Sequence, residues 1–219
     1  MSGSAAQPER AQSRWLVLLA ACGMLAPLVY STSALVASRT YSGFSHLTTF
    51  ISELGATGAP SAHLMNFGGF LPYGVLVIAL AAALHRTLRS AAGGWLGPML
   101  LAVYGLAYVA LAFASCDYGC AAAAPSLSHR IHFLLGDLIV VAAVAAPVAL
   151  YPRMLGDPAW SSLARATLVL PASAWLVFSV AMVGLPGAVR QRLWLLLLFI
   201  WIELVSVRLL RTGARDGAR

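Results

Sequence analysis

The chain has 219 residues, of which 60% are hydrophobic and 10% are charged, with a formal net charge of +7. A soluble globular domain carries about 25% charged residues. This chain therefore has too few charges to cover a water-exposed surface, and its composition is typical of a protein in a lipid bilayer. All 14 basic residues are arginines that stand singly or in pairs between apolar stretches. That distribution is typical of membrane topology signals and argues against nucleic acid as a partner.

Six apolar stretches are long enough to cross the hydrocarbon core of a bilayer, which takes roughly 20 helical residues. Breaks rich in glycine and proline separate them, and such short connections indicate antiparallel neighbours. We therefore predict an all-α bundle of six transmembrane helices over 15–211, with a disordered cytoplasmic tail at 1–14 and a second cytoplasmic tail at 212–219. The predicted spans are 15–37, 64–84, 95–115, 130–151, 163–184 and 190–210.

The arginines predict the orientation of this bundle. If both termini lie in the cytoplasm, the cytoplasmic segments hold Arg10, Arg14, Arg86, Arg89, Arg153, Arg165, Arg208, Arg211, Arg215 and Arg219. The opposite side then holds only Arg39, Arg130, Arg190 and Arg192. This asymmetry satisfies the positive-inside rule. We expect a multi-pass protein of the bacterial cytoplasmic membrane with both termini inside.

Two connections on the predicted outer face, 38–63 and 116–129, are longer than turns. In the first, apolar residues recur mostly three and four positions apart, which predicts a short amphipathic helix that ends at Gly55. The apolar residues of this pattern are Tyr41, Phe44, Leu47, Phe50, Ile51 and Leu54.

Most of the histidines, together with several acidic residues, fall on that same outer side. His129 and His132 are three positions apart and would share one helix face, while Asp117 flanks the same loop. In an oxidising periplasm Cys116 and Cys120 could form a disulfide, with Gly119 supplying the turn, or they could remain small reduced residues at a helix end.

A family resemblance is carried by the segment ISELGATGAP (51–60) followed by NFGGF (66–70) at the start of the second span. It resembles DUF998, a family of small prokaryotic membrane proteins with no known function. The family pattern of Ser-x-Leu-Gly, then Asn and Gly, is matched by Ser52, Leu54, Gly55, Asn66 and Gly69. A later acidic residue and histidine are matched by Asp117 and either His129 or His132. The resemblance implies a membrane fold and brings no activity.

The first functional hypothesis is a membrane-embedded hydrolase or lipid-modifying enzyme whose outward site acts on a lipid or small molecule. Its proposed catalytic residues are Ser52, Glu53, Asp117, His129 and His132. Asp117, His129 and His132 would form a trio of zinc ligands, since a catalytic zinc site offers three protein ligands and one open position. Supporting positions are His63, Asn66 and Asp137. The alternative is that these polar groups simply hydrogen-bond in the headgroup layer.

Two other classes of function stay open. Asp137 and Glu203 lie deep in predicted spans, where a carboxylate is costly and needs a partner or water. A proton-coupled transporter of small solutes or lipids would use such residues. A non-catalytic scaffold or accessory subunit is the third class, and small residues such as those at 142–146 would suit its helix packing as well.

Overall fold

The computed structural model describes residues 6–88, 94–179 and 184–217. Within that part, all regular secondary structure is helical, and no strand is present. The main helices are α1 (Ala6–Thr40), α2 (Leu71–Thr87), α3 (Leu96–Leu111), α4 (Leu127–Gly156), α5 (Ser161–Ser179) and α6 (Gly187–Gly217). A π-helical segment, Leu64–Phe70, leads directly into α2, and two short 3₁₀ helices cover Ile51–Gly55 and Tyr118–Cys120.

The prediction of a polytopic bundle with six helices is confirmed. Five helices of the described chain are long and apolar enough to cross a membrane, and α3 is a shorter apolar helix. The internal prolines Pro27, Pro147 and Pro171 do not end their helices, because neighbouring helices can compensate for the missing N–H group. Part of the fifth predicted span, 180–183, lies outside the described residues.

The helices extend further at both ends than the predicted spans do. The first helix starts at Ala6 and so includes most of the segment predicted to be a disordered tail. The last continues to Gly217, through most of the predicted second tail. Alanine, glutamine, glutamate and arginine have high helix propensity, so a membrane helix can continue into water through such a segment.

Helices that follow one another in the chain pack side by side, and α6 packs back against α1. The bundle is therefore a closed ring of antiparallel helices. At one end of the ring α1, α3 and α5 finish and α2, α4 and α6 begin. We call this the loop end, because it carries the connections predicted to face outward.

The first long connection does not form the predicted amphipathic helix, and that prediction was wrong. Residues 41–50 are turns and bends, and helical structure is limited to the 3₁₀ helix Ile51–Gly55. Short polar side chains explain the difference because they bond to nearby backbone groups in place of a helix. The Ser45 N–H donates to Thr49 Oγ1 (3.2 Å), and the Leu47 N–H donates to Ser45 Oγ (3.3 Å). Tyr41 and Phe44 of the apolar pattern pack as part of a loop onto the bundle, whereas Leu47 is exposed.

A cluster of buried aromatic rings fills the centre of the ring of helices. Tyr30, Tyr73, Tyr104 and Tyr108 are each at most 3% exposed, and their rings meet mostly edge to face. The hydroxyls of Tyr73 and Tyr104 share a hydrogen bond of 2.8 Å, which satisfies two buried polar groups at once. This cluster closes the middle of the bundle below the loop end.

Candidate functional site

A cavity of about 450 Å³ lies at the loop end, above the aromatic cluster. Its walls come from α1, α3, α4, α5, α6, the π-helical segment and the two short 3₁₀ helices. Its polar lining includes Thr48, Ser52, Glu53, His132, Asp137 and Gln191. Its aromatic lining includes Tyr30, Phe70, Tyr108, Phe133, Phe178 and Trp194. This mixture of apolar rings and a few polar groups is typical of a small-molecule binding site.

The 3₁₀ helix Ile51–Gly55, which we call the lid, covers part of the cavity and carries Ser52 and Glu53. The Glu53 carboxylate accepts the N–H of Phe50 at 2.8 Å and so caps the start of this helix. The Ile51 N–H donates to Gln191 Oε1 at 2.8 Å, which attaches the lid to α6. Both contacts satisfy backbone donors that the short helix leaves free.

The residues of the Ser-x-Leu-Gly and Asn pattern attach the other side of the lid. Asn66 is 6% exposed, and its amide donates to the Gly55 carbonyl and to Ser115 Oγ, both at 3.0 Å. A side chain at Gly55 would meet Asn66 Oδ1 at 2.3 Å, so only glycine allows this close approach. The buried Ser61 hydroxyl donates to the Leu54 carbonyl at 2.8 Å. In this structure the pattern therefore serves to seat the lid.

Two polar residues of α4, His132 and Asp137, line the cavity. The ring of His132 is buried, and its Nδ1 lies 2.8 Å from the Ala114 carbonyl. Because a carbonyl only accepts, Nδ1 carries the proton in this contact and Nε2 keeps its lone pair. Asp137 lies further down the same helix wall, and its side chain is exposed. Within the described part of the chain its carboxyl has neither a hydrogen bond nor an ion pair.

Asp117 and His129 lie next to each other, and neither is among the residues that line the cavity. Asp117 accepts two hydrogen bonds from Ser126, one from its N–H (2.9 Å) and one from its hydroxyl (2.7 Å). These bonds, the backbone one foremost, hold the pKa of the Asp117 carboxyl below its usual value. The Ser126 hydroxyl in turn accepts the N–H of His129 at 3.1 Å and caps α4. His129 Nδ1 accepts the N–H of Asp117 at 3.1 Å, which completes a closed ring of contacts.

Cys116 and Cys120 form a disulfide, as one of the two sequence hypotheses expected, and Cys22 is free. The disulfide packs against the lid, because Cys120 Sγ is 3.7 Å from Ser52 Oγ and Cys116 Sγ is 3.9 Å from the Ser52 carbonyl. With no hydrogen on the disulfide sulfur, the Ser52 hydroxyl is the donor in the first contact. The Thr57 N–H also donates to the Cys116 carbonyl at 2.8 Å. The two outer connections are thus joined.

The structure does not bring the predicted zinc trio together as three adjacent ligands. In the described chain, the group of three potential ligand atoms that all lie within 4.8 Å of one another belongs to Cys116, Cys120 and His132, while Asp117 and His129 approach each other as a pair, with 3.5 Å between Oδ2 and Nδ1. Paired sulfurs offer no thiolate to a metal. His132 is separated in role from Asp117 and His129, whose contacts hold the second loop on α4. The zinc site at Asp117, His129 and His132 stays a prediction.

The other predicted positions divide between the cavity and its surroundings. Ser52, Glu53, His132 and Asp137 share the cavity, whereas Asn66 fixes the lid from outside it. His63 is exposed at the start of the π-helical segment, where its ring packs on Phe67. The aromatic lining of the cavity was missed, because a ring in an apolar span has the same sequence pattern whether it packs in a core or lines a cavity. Gln191, a polar residue at the start of the sixth span, was the one signal available.

These observations define a class of protein: a polytopic membrane bundle of six helices with a partly aromatic cavity at its loop end. A comparison with protein families matches residues 24–208 to the family described as a protein of unknown function, DUF998. The chain belongs to that family, as the resemblance of its lid and Asn66 pattern indicated. Among curated proteins and among solved structures, none matches.

Proposed function

We propose that this DUF998 protein binds a small amphipathic molecule, or the headgroup of a lipid, in the cavity at the loop end. The observation that carries the proposal is the cavity itself, of about 450 Å³, with carboxyl, imidazole and amide groups set among aromatic rings. Its volume lies within the usual range of ligand sites, roughly 300–1,000 Å³. Binding of a ligand from the membrane or from its outer surface is the function that this geometry supports best.

The hydrolase hypothesis has less support from the same geometry. A serine nucleophile needs a base within about 2.6–3.2 Å. The close neighbour of Ser52 Oγ is the sulfur of Cys120, at 3.7 Å. The Glu53 carboxylate caps the lid, and the Nδ1 proton of His132 is used on a carbonyl. These three contacts favour structural or ligand-contacting roles for the three residues over a role in acyl transfer.

A transporter would also require the cavity to open alternately to the other side of the membrane. The aromatic cluster closes the bundle there, and a second cavity beside Leu101, Tyr104 and Trp201 measures only about 10 Å³. Glu203 is not among the described residues that line either cavity. The geometry corresponds to a state open at the loop end only, which suits a binding protein or one state of a transporter.

Gly136 offers a direct test, because it lines the cavity and a Cβ built on it meets no atom within 4 Å. Phenylalanine at this position should occupy part of the cavity without disturbing the helix. Gly156, at the far end of α4, also has no atom within 4 Å of such a Cβ, and the Gly156→Phe variant is the matched control.

The probe is dioctanoylphosphatidylethanolamine, titrated into each purified protein and followed by native mass spectrometry. We expect saturable binding of one lipid to the wild type and to Gly156→Phe, and about tenfold weaker binding to Gly136→Phe. Equal binding by the two variants would show that the lipid is held elsewhere and would refute the proposal.

A further inference from the structure

The charge of the cavity points to the kind of ligand that it accepts. Its described lining includes two carboxyl groups, those of Glu53 and Asp137, and neither arginine nor lysine. This is notable in a chain whose net charge is +7. A cleft lined by charges of one sign concentrates ions of the opposite sign. The field inside the cavity therefore favours cations.

Of the two carboxyl groups, that of Asp137 contributes more to the preference of the cavity for cations. It lies about 15 Å along α4 from Leu127, well inside a helix that is long enough to span the membrane. A carboxylate at such a depth needs water, a cation or a hydrogen-bond donor. No such partner is provided by the residues that the structure describes. An unpartnered carboxyl on a cavity wall is a position where a ligand can supply the missing positive charge.

Glu53 is partly compensated, both by its capping bond to Phe50 and by a nearby arginine. Arg192 lines a neighbouring cavity that shares Tyr30, and its charge acts on the Tyr30 hydroxyl and, more weakly, on Glu53. The guanidinium of Arg192 is itself held by the Ala188 carbonyl (2.8 Å) and lies over the ring of Phe44. Arg190 likewise donates to a backbone carbonyl, that of Phe178. Neither arginine is among the described lining residues of the proposed site.

The aromatic walls favour an organic cation over a metal ion. A divalent metal needs several converging oxygen ligands, whereas this cavity offers two carboxyls, one from the lid and one from α4. Aromatic faces attract ammonium groups, and tryptophan does so most strongly. Tyr30, Tyr108 and Trp194 are among the aromatic residues of the lining, and the CH groups of an alkylammonium can pack on rings of this kind.

Building on the proposed function, we infer that the cavity selects ligands with an organic ammonium group, which is held by Asp137 and by the rings of Tyr30, Tyr108 and Trp194. The ammonium can belong to the headgroup of an amine-bearing lipid or to a free amine or quaternary ammonium solute. Both present the same chemistry to the cavity.

The test uses a cysteine placed inside the cavity. Gly136→Cys is made in a Cys22→Ala background, which leaves one reactive thiol, and the protein is reconstituted in nanodiscs. The rate of modification is then measured for two methanethiosulfonate reagents of similar size, one carrying a trimethylammonium group and the other a sulfonate. Each modification rate is divided by the rate of the same reagent with free 2-mercaptoethanol.

We expect the normalised rate to favour the cationic reagent about tenfold or more, the low end of the enrichment typical of charged clefts. Asp137→Asn should bring the ratio close to one, and Glu53→Gln should lower it less. Gln keeps an oxygen that can cap the lid. Glu203→Gln is the matched control, since it removes a carboxyl from a membrane helix outside the cavity, and it should leave the ratio unchanged.

Protection experiments separate the two sources of the ammonium group. If dioctanoylphosphatidylethanolamine slows the labelling and tetraethylammonium does not, the ammonium belongs to a lipid headgroup. If tetraethylammonium slows the labelling and the lipid does not, the ligand is a free solute. Dioctanoylphosphatidylglycerol and propanesulfonate are the anionic controls.

Equal normalised rates for the two reagents, or equal protection by the anionic controls, would overturn cation selection while leaving ligand binding in place. Failure of both reagents to react with Gly136→Cys would overturn the open cavity, and the proposed function with it.

Discussion

At the scale of single residues, the contact between Gly55 and Asn66 explains two positions of the family pattern, which the sequence analysis had interpreted as a helix end and as a supporting position of a catalytic site. The buried amide of Asn66 spans two loops by bonding to the Gly55 carbonyl and to Ser115 Oγ. Its Oδ1 is buried with no hydrogen-bond partner in the described chain, and lies where a side chain at Gly55 would be. An amide donates to both partners at once, which a carboxylate or a leucine of similar size cannot do.

This contact predicts that adding one methyl group at Gly55 lowers the stability of the fold. Gly55→Ala would place its Cβ 2.3 Å from Asn66 Oδ1, and overpacking of this kind costs about 1–3 kcal/mol. We expect a lower unfolding temperature of the purified protein in detergent. Gly136→Ala is the control, because its Cβ meets open space, and it should be neutral or slightly stabilising owing to its higher helix propensity. Equal stability of the two variants would refute the anchoring role of the Gly55 contact.

At the scale of elements, the site is built by segments that are short and distant in the chain. The lid is joined to α6 by Gln191 and to the π-helical segment by Asn66, and the disulfide fixes the second loop against Ser52. π-Helical segments inside membrane helices are frequent at functional sites. Here that segment turns Asn66 towards the lid and brings Phe70 to the wall of the cavity.

The disulfide gives a prediction at this scale. The denatured, unreduced protein should contain one reactive thiol, that of Cys22, and three after reduction, as counted by alkylation and mass spectrometry. Closing so small a loop stabilises the fold by about 2 kcal/mol on the chain-entropy estimate. Cys116→Ser combined with Cys120→Ser should therefore unfold at a lower temperature than Cys22→Ala. Three reactive thiols without reduction would exclude the bond in the purified protein.

At the scale of the whole molecule, the closed ring of helices sets where a ligand can enter. Both long connections lie at the loop end, and the aromatic cluster closes the ring below the cavity. The position of the cavity in the cell then depends on the orientation of the bundle, which stays a prediction from the arginines.

Labelling in intact cells measures this orientation. In a Cys22→Ala background, Ala123→Cys should react with a membrane-impermeant maleimide added from outside, and Arg86→Cys should react only after the membrane is permeabilised. Both side chains are exposed in the structure, so a difference between them reports sidedness and not burial. The reverse labelling would place the cavity on the cytoplasmic side.

The sequence by itself determined the membrane environment, the six helices and the segments that meet at the loop end. These follow from composition and from the length of apolar runs, which depend on neighbouring residues only. It also predicted Ser52, Glu53 and His132 on one side of the membrane and Asp137 within a span, because antiparallel helices with short connections leave few alternatives.

Only the tertiary structure decided which of these residues share a cavity. Asp117 and His129 have the same sequence signals as His132, but Ser126 ties them into the cap of α4. Tyr30, Tyr108 and Trp194 have the same signals as any core residue, but they face a cavity. Which side of a helix meets a neighbour, and which meets open space, depends on how the six helices pack around the ring. That packing is a property of contacts between distant segments, so no local pattern in the chain determines it.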